Sequence, residues 1–207
     1  VFTVPTGTDD ILFPDNAKIL MGAGSDLQIY HTGGNSFIQD EGAGILFIEG
    51  SSQIQLRSAA EEIYIQCIEN SAVNLFHNNA TKLATTATGV DVTGAVKPTT
   101  YQETYVSKSA ASTVTCDLAT ANHFAVTINQ ATTFAFSNPP SSGTSFAFTL
   151  IITQHSTAAA LTWPNTVDWA GGSAPDAAGN NEVQAYGFIT RDGGTTYYGF
   201  LGGTAIA

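Results

Sequence analysis

The chain has 207 residues, enough to bury a real core in one or two domains. Only 11% of them are charged, against a usual ~25%, and 17 Asp and Glu against 6 Lys and Arg leave a net charge of -11. Phosphate and anionic-lipid surfaces need clustered Lys and Arg, so nucleic acid and anionic lipid are poor partners, and no nucleic-acid partner is expected. The acidic excess runs through both halves, with 11 acids and 4 bases in residues 1–100 and 6 acids and 2 bases in 101–207.

Residues 1–17, VFTVPTGTDDILFPDNA, show no Met, no basic n-region and no long apolar run, so no signal peptide is read there. We expect an extension that attaches the chain to a larger assembly. From 18 to 97 short apolar bursts recur at Leu27/Ile29, Phe37/Ile38, Leu46/Ile48, Ile54/Leu56, Ile63/Ile65, Val73/Leu75, Leu83 and Val90/Val92. Their starts lie 7 to 10 residues apart. A period this short means one strand and one turn per unit, and such units are stable only when stacked or paired with other chains.

Alternate residues of a strand face opposite sides. Leu27, Ile29 and His31 therefore share a face, as do Ile54 and Leu56; Ile63, Ile65 and Cys67; and Val73, Leu75 and His77, while Gln28, Gln55, Arg57, Gln66 and Asn74 fall on the other. A narrow ribbon of this kind leaves its apolar face open. We expect two identical chains to cover it, giving a homotrimeric β-shaft with Leu27, Ile29, His31, Ile54, Leu56, Ile63, Ile65, Val73, Leu75 and His77 near the axis.

The run GAGSDLQIYHTGGNSFIQDEGAGILFIEGSSQIQLR, followed by NNATKLATTATGVDVTGAV, resembles repeats of virion structural proteins, usually tail fibres, in tailed phages of marine bacteria such as cyanophages. The matching positions are 26–31, 34–38, 40–44 and 82–94, and Thr32 stands where that family often has Asp. The resemblance implies a virion location, contact with other tail or capsid proteins through the N-terminal part, and attachment to a host surface glycan or protein.

After GAVKPTTYQETYV the period changes, which places a boundary near Pro98. Longer alternating stretches follow at 114–118, 124–128, 133–136, 146–153, 161–163, 183–191 and 195–201, separated by NPPSSG and RDGG, where Asp-Gly is a strong hairpin cue. Residues 98–207 therefore read as an antiparallel β-sandwich or jelly-roll knob. TWPNTVDWAGGSAP and DGGTTYYGF resemble, more loosely, the C-terminal domains of the same phage proteins. The chain as a whole is all-β: no segment keeps apolar residues at helical spacing. Its longest apolar run, residues 146–152, is far short of the ~20 residues of a membrane helix, so no membrane insertion is expected.

Residues that could carry chemistry are few. Acid pairs at 40–41 and 61–62 would suit a glycosidase, and hence a polysaccharide-degrading spike, only if two carboxyls met in a cleft. Neighbours on a strand point apart, so these read as solvated turn charges. No nucleophile elbow, zinc-protease helix or phosphate loop is present, and no catalytic residue, metal or cofactor is expected. His31 and His77 could form axial rings of three imidazoles or be ordinary packed histidines; the missing tandem spacing favours the second. Cys67 and Cys116, in different predicted domains and without a CxxC, read as two reduced, mostly buried thiols. Trp163, Trp169, Tyr197 and Tyr198 are the candidates for stacking on a receptor, with Trp169 beside Gly171 and Gly172 the preferred exposed one. The expected activity is non-covalent, multivalent host attachment by a tail fibre, with a capsid-attached head fibre or decoration protein as the alternative.

Overall fold

Short alternating stretches closed by Gly and Asn become strands throughout, and the protein is all-β. The computed structural model describes residues 11–206; most of the expected attachment extension falls on residues 1–10, outside the described residues. The chain divides after Lys97 into two compact units, Val1–Lys97 and Pro98–Ala207. Among the described residues no helix is long and apolar enough to cross a membrane.

In the first unit, β1 (Lys18–Met21), β2 (Leu27–His31) and β3 (Ser36–Asp40) form an antiparallel sheet in chain order. A second antiparallel sheet, also in chain order, holds β4 (Gln53–Arg57), β5 (Ile63–Ile68), β6 (Val73–His77), β7 (Ala80–Thr86) and β8 (Gly89–Val92). The link between β6 and β7 is the two-residue turn Asn78-Asn79, where both residues take positive φ (50 and 55). Asn tolerates that region, and two such residues match the twist of a hairpin. The Asn79 side chain also accepts the Ile63 backbone N–H at 2.9 Å, tying the turn to β5.

One expected strand does not form. The Leu46/Ile48 burst joins no sheet, because β4 pairs with β5 and not with the segment before it.

The second unit holds β9 (Tyr105–Lys108), β10 (Thr113–Asp117), β11 (His123–Ile128), β12 (Thr132–Ser137), β13 (Phe146–Gln154), β14 (Leu161–Thr162), β15 (Val167–Trp169), a 3-10 turn at Ala170–Gly172, β16 (Val183–Thr190) and β17 (Tyr197–Ile206). They form a three-stranded sheet, β10-β12-β14, and a six-stranded one, β15-β17-β16-β13-β11-β9. The expected antiparallel sandwich needs correction. From β9 to β14 the chain alternates between the two sheets, so each strand returns beside the one two elements earlier and in the same direction. Only β13 with β16 and β16 with β17 pair antiparallel in this unit, and β15 with β17 is again parallel. Alternation of side chains is the same for either direction, so the sequence pattern could not tell them apart. Neither sheet closes on itself.

Side chains from both sheets make one core. Phe124, Phe134, Phe148, Leu150, Ile152, Tyr186 and Phe188 are buried together, with Phe148 stacked on Phe188 at 4.9 Å and Phe136 edge-on to both. Buried polar side chains are paired: Gln154 bonds Ala159 through both its amide atoms, and Gln184 accepts from the Ala178 N–H and the Tyr186 hydroxyl. No described buried side-chain polar atom lacks a partner. Such pairing matters because an orphaned buried amide costs about 1–3 kcal/mol.

Two aspartates pin turns at the rim. Asp117 accepts from the Asn138 amide and the Ala119 N–H, and Asp192 accepts from the Thr196 N–H and the Thr190 hydroxyl. These bonds favour the carboxylate and hold both groups below the usual aspartate value, chiefly through Asn138 for Asp117 and the Thr196 N–H for Asp192. A lowered folded-state pKa gives stability that is complete above the unfolded value and lost as pH falls through the folded one. The melting temperature should thus fall on acidification below about pH 4, and Asp192→Asn should flatten that fall in a calorimetric pH series. An unchanged slope would mean that the loop does not couple to folding.

Candidate functional site

Two surfaces can mediate binding, one in each unit. In the first unit the register builds an apolar row across all five strands of the larger sheet: Leu56, Ile65, Leu75, Leu83 and Val92 stand opposite one another in turn. A second row joins Ile54, Cys67 and Val73. The other face mixes Gln53, Gln55, Gln66 and Asn74 with Tyr64, Ile68 and Phe76, and there Gln66 donates to Gln53 and accepts from Asn74. The smaller sheet repeats the arrangement in Ile19, Ile29 and Ile38, which line an open concavity of about 510 Å³ with Phe13 and Phe37. Leu27 lies on the same face, paired with Met21 and Asp40.

No described residue of the first unit is buried. Leu56, Leu75, Val73, Val90 and Val92 are all exposed. Three of the expected axial residues fall outside the rows. Ile63 stands opposite Arg57 across a register shift, and His31 and His77 end their strands beside hairpin turns, paired with Ser36 and Ala80. Both histidines are exposed, and His31 Nδ1 meets the Ser36 hydroxyl at 2.9 Å. Residues beside a turn sit at the margin of a face, which strand phase alone does not reveal.

The acid pairs behave as turn charges. Asp40 caps the Gly42 N–H, Glu41 bonds Gln39, and exposed Glu61 faces Arg57 at 3.8 Å. Among the described residues, no group of three His, Cys, Asp or Glu could hold a metal. The thiols differ: Cys116 is buried and its pKa is pushed up to about 12 by that burial, whereas Cys67 is only half-buried.

The four aromatic candidates of the second unit separate by depth, and Trp169, the preferred exposed one, is not the most open of them. Tyr197 is only 3% exposed and meets Phe136 edge-on at 5.0 Å, so it is core. Trp163 and Trp169 are half-buried, 5.1 Å apart, and both lie against Tyr186 and Phe188. The segment expected to be a loop around Trp169 contains β15, whose pairing with β17 turns that indole over Gly199. Tyr198 alone is open, at 42%, with the Arg191 guanidinium 5.9 Å from its ring centre.

Tyr198 belongs to the outer face of the six-stranded sheet, which sequence reading did not single out. Ala125, Ala147, Ile151, Ala185, Ile189 and Phe200 share that face. Phe200 lies over Gly187, its cross-strand partner, and any side chain at 187 would collide with the ring. Beside it lies a depression of about 460 Å³ whose polar margin is Glu103, Asn122 and His123. His123 bridges the Glu103 carboxylate and, at 2.6 Å, the Thr149 hydroxyl. The missed signal was Ala and Thr on the outward phase of strands whose inward phase is large, as in Phe146-Ala-Phe-Thr-Leu.

Comparisons with protein-family models, curated proteins and solved structures returned no match to this chain.

Proposed function

We propose that the chain is a virion structural fibre of a tailed phage: a homotrimer whose first unit builds a thin β-shaft and whose second unit attaches to a host-surface glycan or protein. The observation that supports it most is the first unit itself. Eight strands carry continuous apolar rows without one buried side chain among the described residues. Leaving such rows in water forfeits roughly 1.5–3 kcal/mol per large side chain that burial would supply, so the fold is complete only with partners. The fibre-like repeat at 26–44 and 82–94 supplies the phage and host side of the reading. Weak knob contacts gain from tethering, because the second and third are effectively intramolecular.

Mass measurement in native buffer should give three times 21.6 kDa. The same preparation should compete with virus for adsorption to susceptible cells. Tyr198→Ala, at the exposed outer face, should weaken the competition while leaving the melting temperature unchanged. A stable monomer sinks the shaft, and a folded trimer that neither binds cells nor slows adsorption sinks the attachment role.

A further inference from the structure

Between β3 and β4 runs Gly-Ala-Gly-Ile45-Leu46-Phe47-Ile48-Glu-Gly, and three of its four central side chains, Ile45, Phe47 and Ile48, are among the most exposed large apolar groups in the first unit. Ile45 is 75% exposed, Phe47 74%, Ile48 64% and Leu46 39%. No hydrogen bond links residues 43–51 to any described residue, and none of the nine has a left-handed φ. A run of β-branched and aromatic residues with a free backbone is a strand without a sheet. When extended, Ile45 and Phe47 point to one side and Leu46 and Ile48 to the other. Each strand of the five-stranded sheet carries a polar residue on one side (Gln55, Gln66, Asn74, Lys82, Asp91), so this segment differs in needing cover on both faces, the pattern of an interior strand.

We propose that residues 45–48 act as a donor strand, adding to an open edge of the five-stranded sheet, β4 or β8, in a second copy of this chain. The inference rests on the self-assembly part of the reading above. A second copy is the occupant that balances. Each chain offers one unpaired segment, and its five-stranded sheet ends in the free edges β4 and β8, so head-to-tail donation under cyclic symmetry gives every donor segment an acceptor edge. Charge agrees. Chains of net charge -11 approach best where little charge is added, and the segment carries none while each edge strand carries one charge, Arg57 in β4 and Asp91 in β8. Glu41 and Glu49 flank the segment as gatekeepers against pairing with unrelated strands.

Hydrogen–deuterium exchange on the full chain, read together with native mass, tests this. In the assembled protein the amides of residues 45–48 should exchange at least about 100-fold more slowly than in a free peptide, with matching protection along β4 or β8. Phe47→Asp should dissociate the assembly to 21.6 kDa chains, remove that protection and leave the exchange of β11 and β13 unchanged. An oligomer whose residues 45–48 exchange at free-peptide rates overturns strand donation while sparing the fibre reading. A monomer in which they are protected means pairing within the chain, which also overturns it. A monomer with unprotected amides overturns both. An oligomer other than a trimer, with the segment protected, upholds donation and removes only the threefold symmetry.

Discussion

Ile65→Asp should abolish self-association, whereas Gln66→Asp, one residue along the same strand, should leave it intact. Ile65 stands at the centre of the apolar row, opposite Leu56 on one side and Leu75 on the other. In an assembly that covers this row, each copy would place a carboxylate among its neighbours' aliphatic side chains. Desolvating an unpaired carboxylate costs several kcal/mol unless it protonates, and the cost repeats in every chain. Gln66 lies on the other face. An aspartate there keeps an acceptor for Asn74 and loses the donor to Gln53, an exchange worth about 1 kcal/mol or less at an accessible site. Native mass should show single chains for Ile65→Asp and the parent assembly for Gln66→Asp. Equal loss in both would mean that the apolar rows do not form the interface.

Phe148→Ala should be the most damaging truncation in the second unit. Its ring stacks on Phe188, meets Phe124, Phe136 and Tyr197 edge-on, and is 2% exposed. Removing a buried Phe ring costs about 3–5 kcal/mol, through lost transfer energy and the cavity left behind. For a unit of this size each kcal/mol shifts melting by roughly 4–8 °C, so a drop of roughly 12–40 °C is expected. Phe200→Ala, on the outer face of the same sheet, should cost about 1 kcal/mol, because the ring is half in water already. A calorimetric drop of only a few degrees for Phe148→Ala would show that the two sheets are not one cooperative core.

The strands were legible wherever alternation and turn residues agreed. The turn HNNA before β7, the Asp-Gly hairpin before β17 and the nine-residue β13 all follow from local pattern. Which residues share a face in β4 to β6 follows from the same two-residue period, except where register shifts displace Ile63 and His77. Strand direction in the second unit was hidden, because it depends on whether a link crosses to the other sheet, and the period is blind to that. Depth was hidden too. Trp169 sits beside two glycines, which suggests a loop, but its neighbours in space are Tyr186 and Phe188, far along the chain. The burst at 46–48 reads as a strand by composition, but it joins no sheet of its own chain, because its sequence neighbours supply no strand for it to pair with.

The back-and-forth path of β9 to β14 also has a kinetic consequence. Each parallel pair forms only after the chain has completed an excursion through the opposite sheet, so the closing loops are long and their entropy is lost before any pairing is gained. The meander from β4 to β8 closes through short turns between adjacent strands. During refolding, far-UV signals from those local hairpins should develop early, and the burial of Trp163 and Trp169 should lag, because both indoles lie against rings contributed by β16. A newly made chain would then offer its unfinished apolar ribbon to other copies before its second unit has set, and encounter between chains would compete with the slow step of folding rather than follow it.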